Sequence, residues 1–389
     1  MEIQNKLANL LKIERESLDF TLKDVSRKVG FNNYQTLLSI EAGEREVKAW
    51  ELAKLASIYG RDIDYFLNFE STSSEDVRIL WRSPESSPKK TLIERQFISI
   101  CTRYQNLLNI LNEAEMGKNG LKLKINKHAL LSKNAIKNVE NLATDYINLL
   151  KLGARPACSL AKILEDIVGI KIIFLMMDSS ISGGSTVNSN FGMSILVNAN
   201  DAPWRRNFDL AHEFFHILTW NEFSPEDIYL DDKTKKKSQA EILADVFASS
   251  LLLPEENVRD EFEKRIQNKS ISYLSLVEIA REFNVSIEAL LWRAVNLGLL
   301  KKKHIQTELE KGNINDVDKK YRKTDWAETD KPNLSDKYIA LAIKAFHLGK
   351  ISKGKLAEYV GENYSAIPSF LKKYGYDENE DYSIAYRTA

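Results

Sequence analysis

Two histidines four residues apart, His212 and His216, constrain the fold of this chain more than any other feature. Apolar residues recur around them at helical spacing, and on a helix positions four apart lie one above the other, so both imidazoles can bind one ion. Glu213 lies about 100° around the same helix, within reach of a water on that ion. Neutral imidazoles suit Zn²⁺, and a carboxylate can take a proton from a water that attacks a carbonyl. The spacing therefore predicts a helix with a zinc site for metal-assisted hydrolysis, and Glu213 as the catalytic residue. Two alternatives remain: a pair of histidines without a metal, or a metal without activity.

A catalytic zinc needs a third protein ligand and one open position for water. Residues 240–248 form a second predicted helix, with Glu241 and Asp245 four residues apart on one face. Carboxylates are rarely buried unless they are paired or bind a metal. We therefore predict Glu241 as the third metal ligand and Asp245 as the hydrogen-bond acceptor for the second ring nitrogen of a ligating histidine. The alternatives are that both acids face solvent, or that the third ligand is Asp245, His128, His304 or His347.

The 389 residues are enough for two or three domains with separate cores. The pattern predicts a helical domain over residues 1–69, a linker with bracing helices over 70–134, and the domain with the metal site over 135–300. It further predicts a charged linker over 301–332 and a small helical module over 333–389. Residues 79–81 form a small apolar patch, which indicates a docking point inside the first linker.

Composition excludes few functions. Lys plus Arg and Asp plus Glu both number 55, so the total charge indicates neither a nucleic-acid nor a membrane partner, and any basic surface must be local. Cys101 and Cys158 lie far apart in the sequence, which fits a reducing compartment. The chain has no apolar run of the length needed to span a bilayer. These features predict a cytoplasmic protein without a membrane partner.

The fold class follows from the change of rhythm along the chain. Residues 2–69 show short helical bursts broken at Gly30, Gly43 and Gly60, which predicts about five short helices. A β-branched run at 170–176, with glycine-punctuated segments at 182–187 and 192–197, predicts a small antiparallel sheet before a helix that begins near Asn207. The chain is therefore predicted to be multidomain and mainly α, with one α+β domain.

The region around the histidines resembles the ImmA/IrrE family of metallopeptidases. Residues 204–218 and 241–254 carry the likeness, which extends over roughly residues 135–300. It implies a zincin-like peptidase domain that cleaves helix-turn-helix repressors, with zinc bound by the two histidines and Glu241 and with Glu213 as base. One departure is Phe214-Phe215, where many members have a smaller pair, and this bulk is expected to narrow the cleft. The residue that polarises the scissile carbonyl stays open between Arg205 and Tyr229.

Residues 21–31 and 33–43 predict two capped helices joined by a glycine turn, a helix-turn-helix. The pattern resembles the Xre/Cro repressor family over about residues 7–67, and a protein-interaction module is the alternative. The exposed face of the second helix, which would read bases, carries Tyr34, Gln35 and Ser39. The basic residues that would bind phosphate are Lys23, Arg27, Lys28, Arg45 and Lys48. Because the second helix has no basic residue, one copy is expected to bind DNA weakly, and a homodimer is possible on this reasoning.

The C-terminal module has a similar pattern at residues 352–361 and 365–371. Pro368 would interrupt its second helix unless the helix begins there, so a helical cap that docks on the peptidase domain or on a partner is the alternative.

Two functions fit these features. The first is a zinc-dependent endopeptidase that regulates transcription by cleaving a helix-turn-helix repressor or a similar regulatory protein. The alternative is a DNA-binding regulator or antitoxin-like protein whose peptidase-like domain senses a metal or ligand without cleaving. An intact set of His212, Glu213, His216 and Glu241 favours the first.

Overall fold

The computed structural model of the chain describes residues 2–67, 77–81, 87–113, 127–179, 181, 183–223, 237–322 and 331–376. These residues are mainly helical and contain one small sheet, which confirms the predicted fold class. Within them, no helix is long and apolar enough to cross a membrane. The helices are α1 (Glu2–Glu16), α2 (Leu22–Val29), α3 (Tyr34–Glu41), α4 (Ala49–Tyr59), α5 (Ile63–Leu67), α6 (Pro88–Ile110), α7 (Lys127–Leu130), α8 (Ala135–Leu149), α9 (Leu160–Ile163), α10 (Pro203–Leu218), α11 (Gln239–Leu252), α12 (Glu255–Arg265), α13 (Tyr273–Glu282), α14 (Ile287–Asn296), α15 (Lys302–Lys311), α16 (Asn313–Arg322), α17 (Asp336–His347), α18 (Lys353–Val360) and α19 (Ile367–Lys373).

The first five helices form the predicted N-terminal bundle. Thr21 caps α2 by accepting a hydrogen bond from the backbone N–H of Asp24. Gly30 ends the same helix with φ of 92°, a left-handed conformation that glycine adopts without strain. The fully buried core of this bundle is built from Leu11, Leu18, Val25, Val29, Leu37, Leu55, Tyr59 and Phe66.

The sheet has four strands, β1 (Leu80–Trp81), β2 (Lys171–Leu175), β3 (Gly183–Asn188) and β4 (Gly192–Asn198), in the order β1-β3-β4-β2. The expectation of an antiparallel sheet is wrong for one pair, because β2 and β4 run parallel while β3 pairs antiparallel with β4 and with β1. After β2 the chain passes over the position of β4 and forms β3, which runs opposite to β2. Because β4 then runs opposite to β3, it lies parallel to β2. The apolar patch at residues 79–81 supplies β1.

The sheet covers one side of α10, and α11 packs on the other side. Tyr146 of α8 meets Phe214 of α10 and Phe247 of α11, with ring centroids 5.4–6.2 Å apart. Each such fully buried side chain contributes about 2–3 kcal/mol through burial. This core holds α10 and α11 at a fixed distance, which matters because the metal ligands come from both.

Helix α6 connects the N-terminal bundle to the sheet. Its buried Phe97 and Tyr104 belong to the core under β2 and β4. On another side, Arg95 pairs with Glu14 of α1 at 2.8 Å, and Arg103 pairs with Asp62 just before α5. The first half of the chain is therefore braced by ion pairs on α6.

Two helices, α15 and α16, occupy most of the segment for which a charged linker was expected. Their few apolar residues suffice to anchor them, because Ile305 and Ile314 are almost fully buried in the main core. The segment reads as a linker in sequence since most residues of 301–322 are polar or charged and its apolar residues are few.

Of the C-terminal helices, α17 packs against α6, α18 packs on α17, and α19 packs on α18. The Tyr338 ring lies 5.3 Å from the Tyr104 ring, and Lys337 donates a hydrogen bond of 2.7 Å to the Glu165 carbonyl oxygen. Pro368 lies in the first turn of α19, where a missing N–H costs no helical hydrogen bond.

Candidate metal centre

Helix α10 is buried along its second half, from Asp209 to Ile217. Phe214 and Phe215 are fully buried and stack on Phe247 of α11. Their rings fill the core between helices. The narrowed cleft that we expected from their bulk therefore does not follow from their position.

Three side chains converge where α10 meets α11. The Nε2 atoms of His212 and His216 lie 3.1 Å apart. Glu241 places Oε2 at 3.4 Å from His212 Nε2 and Oε1 at 3.2 Å from His216 Nε2. All three residues are buried, and they form the group of potential metal ligands that the described residues contain.

These separations fit a tetrahedral ion. Zinc bonds of about 2.0–2.1 Å place neighbouring ligand atoms about 3.3–3.4 Å apart, and the three separations here are 3.1, 3.2 and 3.4 Å. The donor set, two imidazoles and one carboxylate, is one that zinc takes in hydrolytic sites and that leaves a fourth position open. The residues present therefore fit zinc.

Asp245 lies on the other side of the His212 ring. Its Oδ1 is 3.0 Å from His212 Nδ1, and its second oxygen meets Lys237 Nζ. A carboxylate acceptor holds the proton on Nδ1 and leaves the lone pair of Nε2 pointing toward Glu241. The sequence does not single out this lysine, which stands eight residues before Asp245 and just before the N-cap residue of α11.

Charge in the cluster is consistent with ligation. Burial acts to raise the pKa of Glu241, but hydrogen bonds with His212 and His216 outweigh burial, so the pKa lies well below its usual range. For Asp245 burial also acts upward, while hydrogen bonds with His212 and Lys237 lower the pKa to about 2. Both carboxyls are therefore ionised at neutral pH.

Glu213 follows His212 directly and is 1% exposed. It faces the first residue of β3, since a Cβ added at Gly183 would lie 3.6 Å from the Glu213 Cγ and 2.7 Å from the Leu196 carbonyl oxygen. A Cβ at position 183 would clash with the Leu196 carbonyl oxygen, whereas its contact with Glu213 would be an ordinary van der Waals contact. Gly183 was not singled out as a site residue from the sequence, where it reads as strand punctuation.

Of the other named candidates that the structure describes, the histidines lie outside the group of potential metal ligands, and Arg205 lines the same cavity as Asp245. The Arg205 Nε atom lies 3.7 Å from the Asp209 carboxylate on the same helix and 3.8 Å from the Asp201 carboxylate just before that helix. Its side chain is 54% exposed. Tyr229 lies outside the described residues. His128 and His304 are exposed, and the His347 ring packs on Tyr376 at 6.3 Å.

The N-terminal bundle contains the two predicted helices, and most of the side chains predicted to contact DNA are exposed. Tyr34 and Gln35 are exposed at the start of α3, whereas Ser39 is half-buried and its hydroxyl donates back to the carbonyls of Gln35 and Thr36. Ser39 is therefore a poorer candidate for a base contact than its two neighbours. Of the predicted phosphate contacts, Lys23, Arg27, Lys28 and Lys48 are exposed.

Arg45 differs from these basic residues. Both of its terminal nitrogens bond the buried carboxylate of Glu51, at 2.8 and 3.1 Å, and Glu51 also accepts the backbone N–H of Lys48. The Arg45 guanidinium thus forms an ion pair at the start of α4, which leaves it less available for a phosphate. Sequence spacing alone gave no sign of this pairing.

Two family models match separate parts of the chain. Residues 165–294 match the family model described as IrrE N-terminal-like domain, and residues 11–66 match a helix-turn-helix family model. No curated protein is similar enough to count as a match. The chain therefore carries an Xre-type helix-turn-helix domain in front of an IrrE/ImmA-like peptidase domain, the domain pair of a DNA-binding regulator.

Proposed function

We propose that the chain is a zinc-dependent endopeptidase that regulates transcription, and that its substrate is a helix-turn-helix repressor or a similar regulatory protein. The observation that carries the proposal is the convergence of His212, His216 and Glu241 within bonding reach of one ion, with Glu213 on the adjoining position of the same helix. The match to an IrrE-like domain over residues 165–294 supports the same reading.

Each residue has a separate task in this proposal. His212, His216 and Glu241 hold the ion, which when bound supplies Lewis-acid polarisation for attack of water on a peptide carbonyl. Glu213 takes the proton that the water loses and delivers it to the amide nitrogen as the C–N bond breaks. Asp245 positions the His212 ring through Nδ1.

The N-terminal domain places this activity on DNA. Tyr34 and Gln35 of α3 face solvent in the position where a recognition helix reads base edges, and the nearby Lys23, Arg27 and Lys28 are placed to contact phosphates. We further propose a cytoplasmic location, because DNA and its repressors are there, and a homodimer, because one recognition helix without basic residues binds weakly.

Metal analysis and a cleavage assay test the proposal. The full chain is purified with zinc, and helix-turn-helix proteins encoded beside its own gene are offered as substrates. The native protein is expected to bind one zinc and to cut one of them, whereas Glu213→Gln retains the zinc and does not cut. If both forms cut equally, or if neither cuts any candidate, the proposal fails. A zinc-binding chain that cuts nothing would favour the alternative, a DNA-binding regulator whose domain senses metal without cleaving.

A further inference from the structure

The C-terminal helices repeat the local geometry of the N-terminal helix-turn-helix. Helices α2 and α18 each have eight residues. Ser352 caps α18 by accepting from the backbone N–H of Lys355, as Thr21 does for Asp24 in α2. Gly361 ends α18 with φ of 72°, the counterpart of Gly30. Both units thus begin with a helix of the same length, which has the same type of N-terminal cap and ends in the same type of glycine turn.

The buried positions of the two units also correspond. In each unit the residues one, four and five positions before the terminal glycine are buried, and the residue four positions before it is small. A small residue there lets the following helix cross closely. The second helix of each unit is then anchored by two buried aliphatic residues. The sets are Val25, Ser26, Val29, Leu37 and Ile40 in the first unit, and Leu356, Ala357, Val360, Ile367 and Leu371 in the second.

The second unit carries exposed lysines on its described part, although residues 333–389 as a whole are nearly neutral, with eight basic and seven acidic residues. Lys372 and Lys373 are exposed at the end of α19, and Lys350 is exposed just before α18. Tyr364 is 63% exposed, with Lys353 Nζ 5.6 Å from its ring centroid. Aromatic and basic side chains on one exposed helix-turn-helix face complement a phosphate backbone.

Docking inside the chain uses other parts of this unit. Helix α17 meets α6 through Tyr338 and the helical turn before β2 through Lys337, which bonds the Glu165 carbonyl oxygen. This inner helix packs on α6, whereas α19 carries the exposed Lys372 and Lys373. The same division, a supporting helix inside and a second helix outside, is found in DNA-binding helix-turn-helix domains.

Arg103 of α6 joins the two units. It pairs with Asp62 of the N-terminal bundle and donates a hydrogen bond of 3.0 Å to the carbonyl oxygen of Glu358 in α18. Lys355 of α18 also lies 3.9 Å from Asp64 of α5. Two surfaces fixed on one body bind one polyanion more strongly than either does alone, because the second contact is intramolecular.

We propose that residues 331–376 form a second DNA-binding helix-turn-helix unit, in which α19 and its lysines contact duplex DNA together with the N-terminal domain. The unit supplies the phosphate contacts that the recognition helix α3 lacks. It lies outside the segment 11–66 that matches the helix-turn-helix family and plays no part in the proposed peptide cleavage.

Binding of the full chain to a labelled random-sequence DNA duplex tests this, with fluorescence anisotropy measured at several salt concentrations. The double variant Lys372→Glu/Lys373→Glu is expected to raise Kd about tenfold or more. It should also reduce the slope of log K against log salt by about two, since each phosphate contact contributes about 0.9 to that slope. The matched control is Lys302→Glu/Lys303→Glu, which makes the same charge change at two exposed lysines of α15.

The proposal is overturned if the two double variants have the same Kd and salt slope. Lys372→Gln/Lys373→Gln, with melting curves for every variant, guards against an effect of misfolding, and its slope must fall as well. Arg27→Glu/Lys28→Glu separates the two DNA surfaces. If that variant alone abolishes binding while the C-terminal variant equals the control, the N-terminal domain is the DNA-binding unit and the second unit is not. Cleavage of the repressor is measured separately and depends on neither result.

Discussion

Asp245 accepts a hydrogen bond from Nδ1 of His212 across 3.0 Å, and this contact determines which ring nitrogen faces Glu241. The two residues come from different helices, α11 and α10, and the aromatic core between them fixes their distance. A ligand histidine oriented by a carboxylate binds metal more strongly than one that can rotate or change tautomer.

Removal of this acceptor should weaken the metal site without destroying it. We expect Asp245→Ala to lower zinc affinity about 10- to 100-fold, because the His212 ring loses its orientation while all three ligands remain. Competition with a chromophoric chelator measures the change. Lys237→Ala, which removes only the outer partner of Asp245, serves as the control and should have a clearly smaller effect. Equal affinities for native protein and Asp245→Ala would contradict the role given to this carboxylate.

The N-terminal bundle contains a buried ion pair whose loss should destabilise it. Glu41, at the end of α3, accepts two hydrogen bonds of 2.8 Å from Arg15 of α1. Glu41→Ala leaves the buried guanidinium without its main partner and is expected to cost about 3 kcal/mol. Urea unfolding followed by circular dichroism measures this loss. Arg27→Ala breaks the exposed pair with Asp24 and should cost no more than about 0.5 kcal/mol. If both variants lose a similar free energy of unfolding, the buried pair stabilises the bundle no more than the exposed pair does.

Glu165 predicts a pH dependence of stability. Burial raises its pKa from about 4.5 to about 7, against the opposing effect of hydrogen bonds with Ser335 and Tyr104. Below about pH 4.5 the carboxyl is protonated in both the folded and the unfolded chain, so its contribution is fully present. Between about pH 4.5 and 7 the unfolded chain releases the proton first, so the free energy of unfolding falls as pH rises.

The variant Glu165→Gln should lack this component. Its free energy of unfolding is expected to fall less than that of the native protein between about pH 5 and 7.5, by about 2 kcal/mol. Urea unfolding at both pH values gives the difference. Asp166→Asn is the neighbouring control, since the pKa of Asp166 is lowered and its contribution has the opposite sign. A parallel pH dependence in native protein and Glu165→Gln would contradict the buried, proton-retaining carboxyl.

Local features of the sequence predicted local structure. Helical spacing placed His212 and His216 on one face, and the glycines at positions 30 and 361 ended helices where the structure ends them. The separation of Glu241 and Asp245 by four residues also places them on one face of α11, close to the histidines. These features depend on residues within a few positions of one another, which is why periodicity is informative about them.

Contacts between distant segments were harder to predict. The pairing of Leu80 with Ser185 joins strands more than one hundred residues apart, and the parallel pairing of β2 with β4 depends on the route of the chain rather than on its composition. The helices α15 and α16 are held by a few apolar residues, chiefly Ile305 and Ile314, in an otherwise polar and charged stretch. The predicted phosphate contact Arg45 has both terminal nitrogens bound to Glu51, six residues away, a pairing that neither helical nor strand periodicity indicates. In each case the deciding partner lies outside the sequence pattern.

Zinc stoichiometry tests the central claim most directly. Metal analysis after exhaustive dialysis is expected to find one zinc per native chain and per Glu213→Gln chain, and to find almost none in His216→Ala and Glu241→Gln. Melting curves of the metal-free forms show whether the variants are folded. A native chain that retains no zinc, or a folded Glu241→Gln chain that binds zinc as tightly as the native protein, would contradict the three-ligand site.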